Sequence, residues 1–191
     1  MVATKVLVFA GSIRAGALSA KLAALAAKEL ALAEADVTQV SLVDYPLPLY
    51  DGDLEGAKGI PENAVKLARL VAASRGVFIA TPEYNNSLPP LLKNTIDWVS
   101  RNRNSGSLSY RRKVYAVGST SDGAIGGARA LADLRKVLMA GWGAIMLPDK
   151  IEISRAQEAF DESGELIDER RANLMKTLCR NLVDFASRLA D

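Results

Sequence analysis

The stretch "GVFIATPEYNNSLPPLLKN", residues 76–94, runs from an apolar segment through a loop into a helix start. Gly76–Ala80 is short, continuous and apolar, as expected of a strand buried on both faces. Pro89 and Pro90 lack the backbone donor needed inside a helix, and each turns the residue before it away from helical geometry. A helix is therefore expected from Pro90 to about Ser100. Between strand and helix, Thr81–Leu88 packs a proline, two asparagines and an acid into one connection. A plain turn needs less specification than that.

Working outward, the same alternation repeats. Val6–Ala10 is a second continuous apolar run ending at Gly11. Residues 17–34 place Leu18, Leu22, Leu25 and Leu30 on one helical face. Val37–Val43 alternates as a strand, 44–60 reads as a long connection, and Pro61–Ser74 is helical with proline in its first turn. Lys113–Gly118 is expected as a strand, 127–140 as a helix, Ala144–Leu147 as a fifth strand, and 165–190 as a closing amphipathic helix. Residues 101–112 read as a polar surface excursion. Strands alternating with helices imply right-handed βαβ units and a parallel sheet. The expected architecture is one α/β domain over residues 1–191. It is a flavodoxin-like, doubly wound five-stranded parallel sheet of order 2-1-3-4-5 with helices on both faces. In that order strands 1 and 3 are neighbours at the topological switch point, so their two following loops should face one ligand.

Composition narrows the chemistry. The chain has 191 residues, 24 basic and 22 acidic, for a net charge of +2, which leaves no electrostatic footprint for nucleic acid. There is no histidine, which excludes Ser-His-Asp catalysis and most zinc sites. The single cysteine, Cys179, sits at helical spacing with Leu178, Leu182 and Phe185 and reads as a core thiol. No run approaches the ~20 apolar residues of a membrane span. With no signal-like segment before the first strand, a cytoplasmic location is expected.

The first loop, "GSIRAGALSAKL" at 11–22, fails as a P-loop, because Ala17 and Leu18 stand where Lys and Ser/Thr are needed. It fails the dinucleotide fingerprint too, with Ile13 at the second glycine. A helix N-terminus remains, with Ser12, Ser19 and Arg14 as added donors, suited to one terminal phosphate. In the second loop, Pro82 pins the backbone, freeing the amides of Glu83, Tyr84, Asn85 and Asn86 for a ligand. Tyr84 adds a flat face. A phosphate beside a polar aromatic ring describes flavin mononucleotide (FMN). The loop after strand 4, "GSTSDGAIGGARA", supplies a third wall through small residues such as Gly118, Ser119, Ser121 and Gly123. Each loop alone also reads as an ordinary capped turn.

Four segments carry a resemblance: "GSIRAGALSAKLA", "LPLYDGD", "TPEYNNSLPPLLKNTIDW" and "GGARALADLR". With them the chain resembles the NADPH-dependent FMN reductase family of flavodoxin-like quinone, chromate and azo reductases. The resemblance implies bound FMN, NADPH or NADH as hydride donor, and quinone-like, chromate, azo or flavin acceptors. It places Ser12, Arg14, Leu18 and Ser19 at the phosphate, Pro82, Glu83, Tyr84 and Asn85 at the ring, and Ser119 and Thr120 beside them. No catalytic side chain and no metal are implied. Ala17 and Ser19 depart from the serine and asparagine usual in the family, shifting phosphate contact onto Arg14, Ser12 and backbone amides. Two other readings are a flavodoxin-type electron carrier without NADPH chemistry and a non-catalytic sensor. Carriers of that type tend to be acidic, and this chain is slightly basic. A homodimer or homotetramer is also expected. Trp98 lies beside the polar set Lys93, Asn94 and Asp97 on its helix and would be buried in a two-fold interface, with the Leu47–Asp53 loop walling the acceptor pocket. In the competing view, residues 101–112 fold over Trp98.

Overall fold

The computed structural model describes residues 3–102 and 110–189. Among these residues six strands form one parallel sheet: β1 (Lys5–Ala10), β2 (Asp36–Val40), β3 (Gly76–Pro82), β4 (Val114–Thr120), β5 (Ile145–Met146) and β6 (Ile151–Ile153). The order is β2-β1-β3-β4-β5, as expected, with β6 also pairing β4. β1 lies in register with β3 from Val6↔Gly76 to Ala10↔Ala80, so the two loops leave the sheet side by side. The Gly11 amide extends the ladder one step, donating to the Ala80 carbonyl at 2.8 Å.

Among the described residues there are six α-helices: α1 (Leu18–Leu32), α2 (Gly52–Lys58), α3 (Glu62–Ala73), α4 (Pro90–Arg101), α5 (Ala128–Val137) and α6 (Glu169–Arg188); all but α2, which buries no residue, pack on the sheet. Alternate side chains of each central strand feed opposite layers. Val6, Val8 and Phe78 pack with Leu22, Leu30, Met175 and Leu182 of α1 and α6. Leu7, Ile79 and Val117 pack with Leu67, Leu92, Ile96 and Leu134 of α3, α4 and α5. This double burial is why β1 and β3 read as continuous apolar runs. Cys179 belongs to the first layer, and burial pushes its thiol up to about 12, far from reactive thiolate chemistry.

Three elements differ from those expected. The connection at 44–60 contains α2. Asp51 caps it by accepting from the Asp53 amide at 2.9 Å, and Gly59 closes it at φ 76°. The expected strand Ala144–Leu147 shortens to β5, and a further strand, β6, follows Pro148 and pairs farther along β4. α5 ends early and continues as a wider π turn, Leu138–Trp142.

The expected role of Trp98 is overturned. Its side chain is fully buried within its own chain, and Nε1 donates to the Pro48 carbonyl at 2.7 Å. Tyr50 meets the indole edge-on, with ring centroids 5.0 Å apart. Asn94 completes the clamp, accepting from the Tyr50 amide at 2.8 Å and donating to Pro48 at 2.9 Å. Of the polar residues flanking Trp98, Asn94 thus binds the 48–50 segment, and Lys93 and Asp97 pair with each other at 2.7 Å. Most of the 101–112 excursion falls outside the described residues.

Candidate active site

At the carboxyl ends of β1, β3 and β4, three loops enclose a cavity of about 250 Å³. The first loop contributes Ser12, Arg14, Leu18 and Ser19, with Ala17. The second contributes Pro82, Glu83 and Tyr84, and the third Thr120, Ser121, Asp122 and Gly123. Eight of the ten residues expected at a binding site therefore meet here. Asn85 and Ser119 do not line it. Ser119 is buried, and its hydroxyl donates to the Gly126 carbonyl at 2.7 Å. Other cavities, of about 340, 520 and 260 Å³, are roomier, but none of them sits between the β1 and β3 loops.

The first loop is shaped for an anion. α1 begins after Ala17 with no side-chain cap and no acidic residue in its first turn. The amides of Leu18 and Ser19 lie in that turn, where a helix offers no internal acceptor. The Ser19 hydroxyl is buried without a hydrogen-bond partner. A buried orphan hydroxyl costs free energy unless a ligand meets it. With the exposed Arg14 guanidinium on the same loop, these groups suit a phosphate monoester.

The second loop closes by a two-residue turn. Tyr84 and Ser87 exchange amide-to-carbonyl hydrogen bonds, both 3.0 Å, and Asn85 and Asn86 sit at φ 49° and 64°. Positive φ at both central residues marks a type I′ turn, a geometry asparagine tolerates. The Tyr84 amide is thus committed, contrary to expectation. Within the described chain no hydrogen bond engages the amides of Asn85 and Asn86.

α5 grips this turn from behind at three points. The Glu83 carboxylate accepts from the amides of Arg129 and Ala130, both 3.1 Å. It caps a helix whose own N-cap is Gly127, which has no side chain to offer. The Asn86 side-chain carbonyl accepts from Arg129 Nη1 at 2.8 Å, and the Ser87 hydroxyl donates to Asp133 at 2.6 Å. That hydroxyl and Lys136 hold the Asp133 carboxyl below its usual range. Sequence reasoning missed these α5 contacts, because no local pattern pairs residue 83 with 129. Glu83→Ala should therefore lower stability by about 0.5–2 kcal/mol, the range for losing a helix cap. Urea titration of Glu83→Ala beside Glu83→Gln checks this. Gln keeps an acceptor and should recover most of the loss; equal loss in both would remove the capping role.

The family model described as NADPH-dependent FMN reductase matches residues 4–158, a span that includes all three loops of the cavity. The chain is 34% identical over 167 residues to the quinone reductase of Escherichia coli K12, with 86% of each chain covered. It is 34% identical over 176 residues to the 2-hydroxy-1,4-benzoquinone reductase of Burkholderia sp., covering 92% of both. Among solved structures it superposes on the flavoenzyme NAD(P)H:(acceptor) oxidoreductase FerB of Paracoccus denitrificans with a TM-score of 0.77 at 33% identity, covering 97% of this chain and 98% of that one. Sheet order, family match and these full-length likenesses agree, and the chain belongs to the NADPH-dependent FMN reductase family of oxidoreductases.

Proposed function

We propose that the protein transfers hydride from NADPH or NADH, through FMN held in the three-loop cavity, to quinone-like, chromate, azo or flavin acceptors. The observation that carries this reading is the partnerless, buried Ser19 hydroxyl at the uncapped start of α1, on a residue that lines the same cavity as Pro82, Glu83 and Tyr84. When bound, FMN supplies the two-electron redox chemistry. The residues bind and orient. The Ser19 hydroxyl, the Leu18 and Ser19 amides and Arg14 hold the terminal phosphate. The amides of Asn85 and Asn86, at the tip of the turn beside the cavity, are uncommitted and would supply fixed dipoles to a flavin ring that reached past Tyr84, the logic of an oxyanion hole. Tyr84, about half exposed, offers an apolar face to the ring. No side-chain acid is required, consistent with a chain lacking histidine.

The decisive experiment is anaerobic titration of the flavin-loaded protein with NADPH and with NADH. Bleaching of the yellow colour by nicotinamide alone is the expected result, and heat should release FMN rather than FAD. A yellow protein that neither nicotinamide bleaches would be a flavodoxin-type carrier. A protein that takes up no flavin would be a sensor.

Arg14→Ala should raise the FMN dissociation constant about ten-fold to a hundred-fold, the range of one charge-assisted contact. Fluorescence titration of apoprotein with FMN reads this directly. Unchanged affinity would place Arg14 outside the phosphate cradle. A homodimer or homotetramer remains our reading of the assembly. It is supported now by exposed apolar side chains on loops at this end of the sheet, Ile13, Leu49 and Tyr84, rather than by Trp98.

A further inference from the structure

A second cavity, of about 520 Å³, lies behind the third loop. Gly123 lines the first cavity and its neighbour Ala124 the second, so one loop separates them. The back of that loop is tied to the segment after β6. Ala156 donates its amide to the Ser121 carbonyl at 3.2 Å, and Gln157 Nε2 donates to Asp122 at 3.0 Å.

Two guanidinium groups line the second cavity, Arg155 and Arg171. Neither has a carboxylate partner within ion-pair distance among the described residues. Arg171 is half-buried and aimed by Ser154, to whose hydroxyl it donates at 2.6 Å and whose carbonyl it reaches at 3.3 Å. A guanidinium has five N–H donors, so several remain for a ligand. Arg155 is exposed, with its backbone at φ 47°. A left-handed backbone is an unfavourable conformation for a long side chain. Two carboxylates also line the cavity. Asp168 is committed to the α6 cap, accepting from the Arg171 amide at 2.7 Å, and Glu158 is exposed. The exposed side chain of Ile167 adds an apolar surface.

We infer that this cavity takes the adenosine end of NADPH, with Arg171 and Arg155 on its 2′-phosphate. A phosphate monoester is the group that a guanidinium fork recognises best, and a guanidinium plane also stacks on a purine. Ala124, Ala159 and Ile167 give the cavity an apolar side next to these polar groups, and its volume falls in the usual range for a ligand pocket. The inference rests on the reductase reading and makes these arginines the determinants of NADPH over NADH.

The test compares NADP⁺ with NAD⁺, which differ only by that phosphate. Calorimetric titration of the FMN-loaded protein should show NADP⁺ binding about ten-fold to a hundred-fold more tightly, the range of a charge-assisted contact. Arg155→Ala, at an exposed side chain, should remove much of that preference. The ratio of kcat/KM for NADPH to that for NADH should fall in parallel. Arg171→Lys keeps the charge but loses the fork, and should give an intermediate ratio. Equal binding of the two nucleotides by the unmodified protein overturns the inference, as does an unchanged preference in Arg155→Ala. If both nicotinamides bleach the flavin yet the ratio ignores Arg155, only this inference falls. If neither bleaches it, the reductase reading falls too.

Discussion

Trp98→Ala is expected to cost about 3–5 kcal/mol of folding stability, the range for deleting a large aromatic from a packed interior. The indole is fully buried and is among the largest side chains in that state. Deletion empties the space between α4 and the Pro48–Tyr50 segment. It also leaves the Pro48 carbonyl without its indole donor and removes the edge-on contact with Tyr50. Beyond Tyr50, the Glu55 carboxylate accepts from the Tyr50 hydroxyl at 3.0 Å and from Arg101 Nε at 2.9 Å, so α2 loses support as well. Trp98→Phe keeps most of the volume and loses the one hydrogen bond, so it should cost far less. Urea denaturation of the two variants measures the difference. A Trp98→Ala protein within 1 kcal/mol of the parent, on the order of a surface change, would mean that the 48–50 segment does not depend on the indole. Assembly size on a sizing column should be the same for Trp98→Phe and the parent, since this side chain has no outer surface.

That correction shows where sequence reading stops. The sheet order, the switch point and the meeting of the β1 and β3 loops were legible, because continuous apolar runs and prolines are local signals of buried strands and helix starts. The failure of the P-loop pattern at Ala17 and Leu18 was equally local, and it pointed to a single-phosphate cradle. Trp98 misleads because its helix carries few polar residues for a water-facing side. Asn94, only partly exposed, turns its side chain to a segment more than forty residues earlier in the chain. Glu83 reads as a ligand-facing acid within its motif, yet its carboxylate caps α5. Ser119 likewise spends its hydroxyl on Gly126. In each case the partner is set by tertiary packing, which no spacing rule encodes. α2 was missed for a different reason: three glycines in 52–59 argue for a loop, and the Asp51 cap outweighs them.

Gly126→Ala should be the most damaging single-methyl change at the site. Gly126 sits at φ 62°, which costs a residue with a Cβ roughly 1–3 kcal/mol when imposed by its surroundings. The added Cβ would also stand 2.9 Å from the Ser154 amide nitrogen and 3.0 Å from the Ile153 carbonyl carbon. Those are backbone atoms, so no rotamer change relieves the contact. They are held in place as well, because the Ile153 carbonyl accepts from the Ser121 amide at 3.0 Å and β6 is paired to β4. Overpacking of a fixed neighbour costs about 1–3 kcal/mol more. The strain has two outlets. One displaces β6 and the Ser154 turn; the other pushes the third loop toward the cavity and pulls the Gly126 carbonyl off Ser119. Either outlet moves Ser121–Gly123, which wall the proposed flavin site. Gly126→Ala should therefore lose both stability and FMN affinity. Gly123→Ala has no positive φ, and its Cβ would meet only the Ser121 hydroxyl at 3.4 Å, so it should be mild on both counts. Thermal unfolding with and without FMN separates the two effects. If Gly126→Ala melts and binds like the parent, the third loop tolerates a shift that this packing does not allow, and its role as a fixed wall is lost.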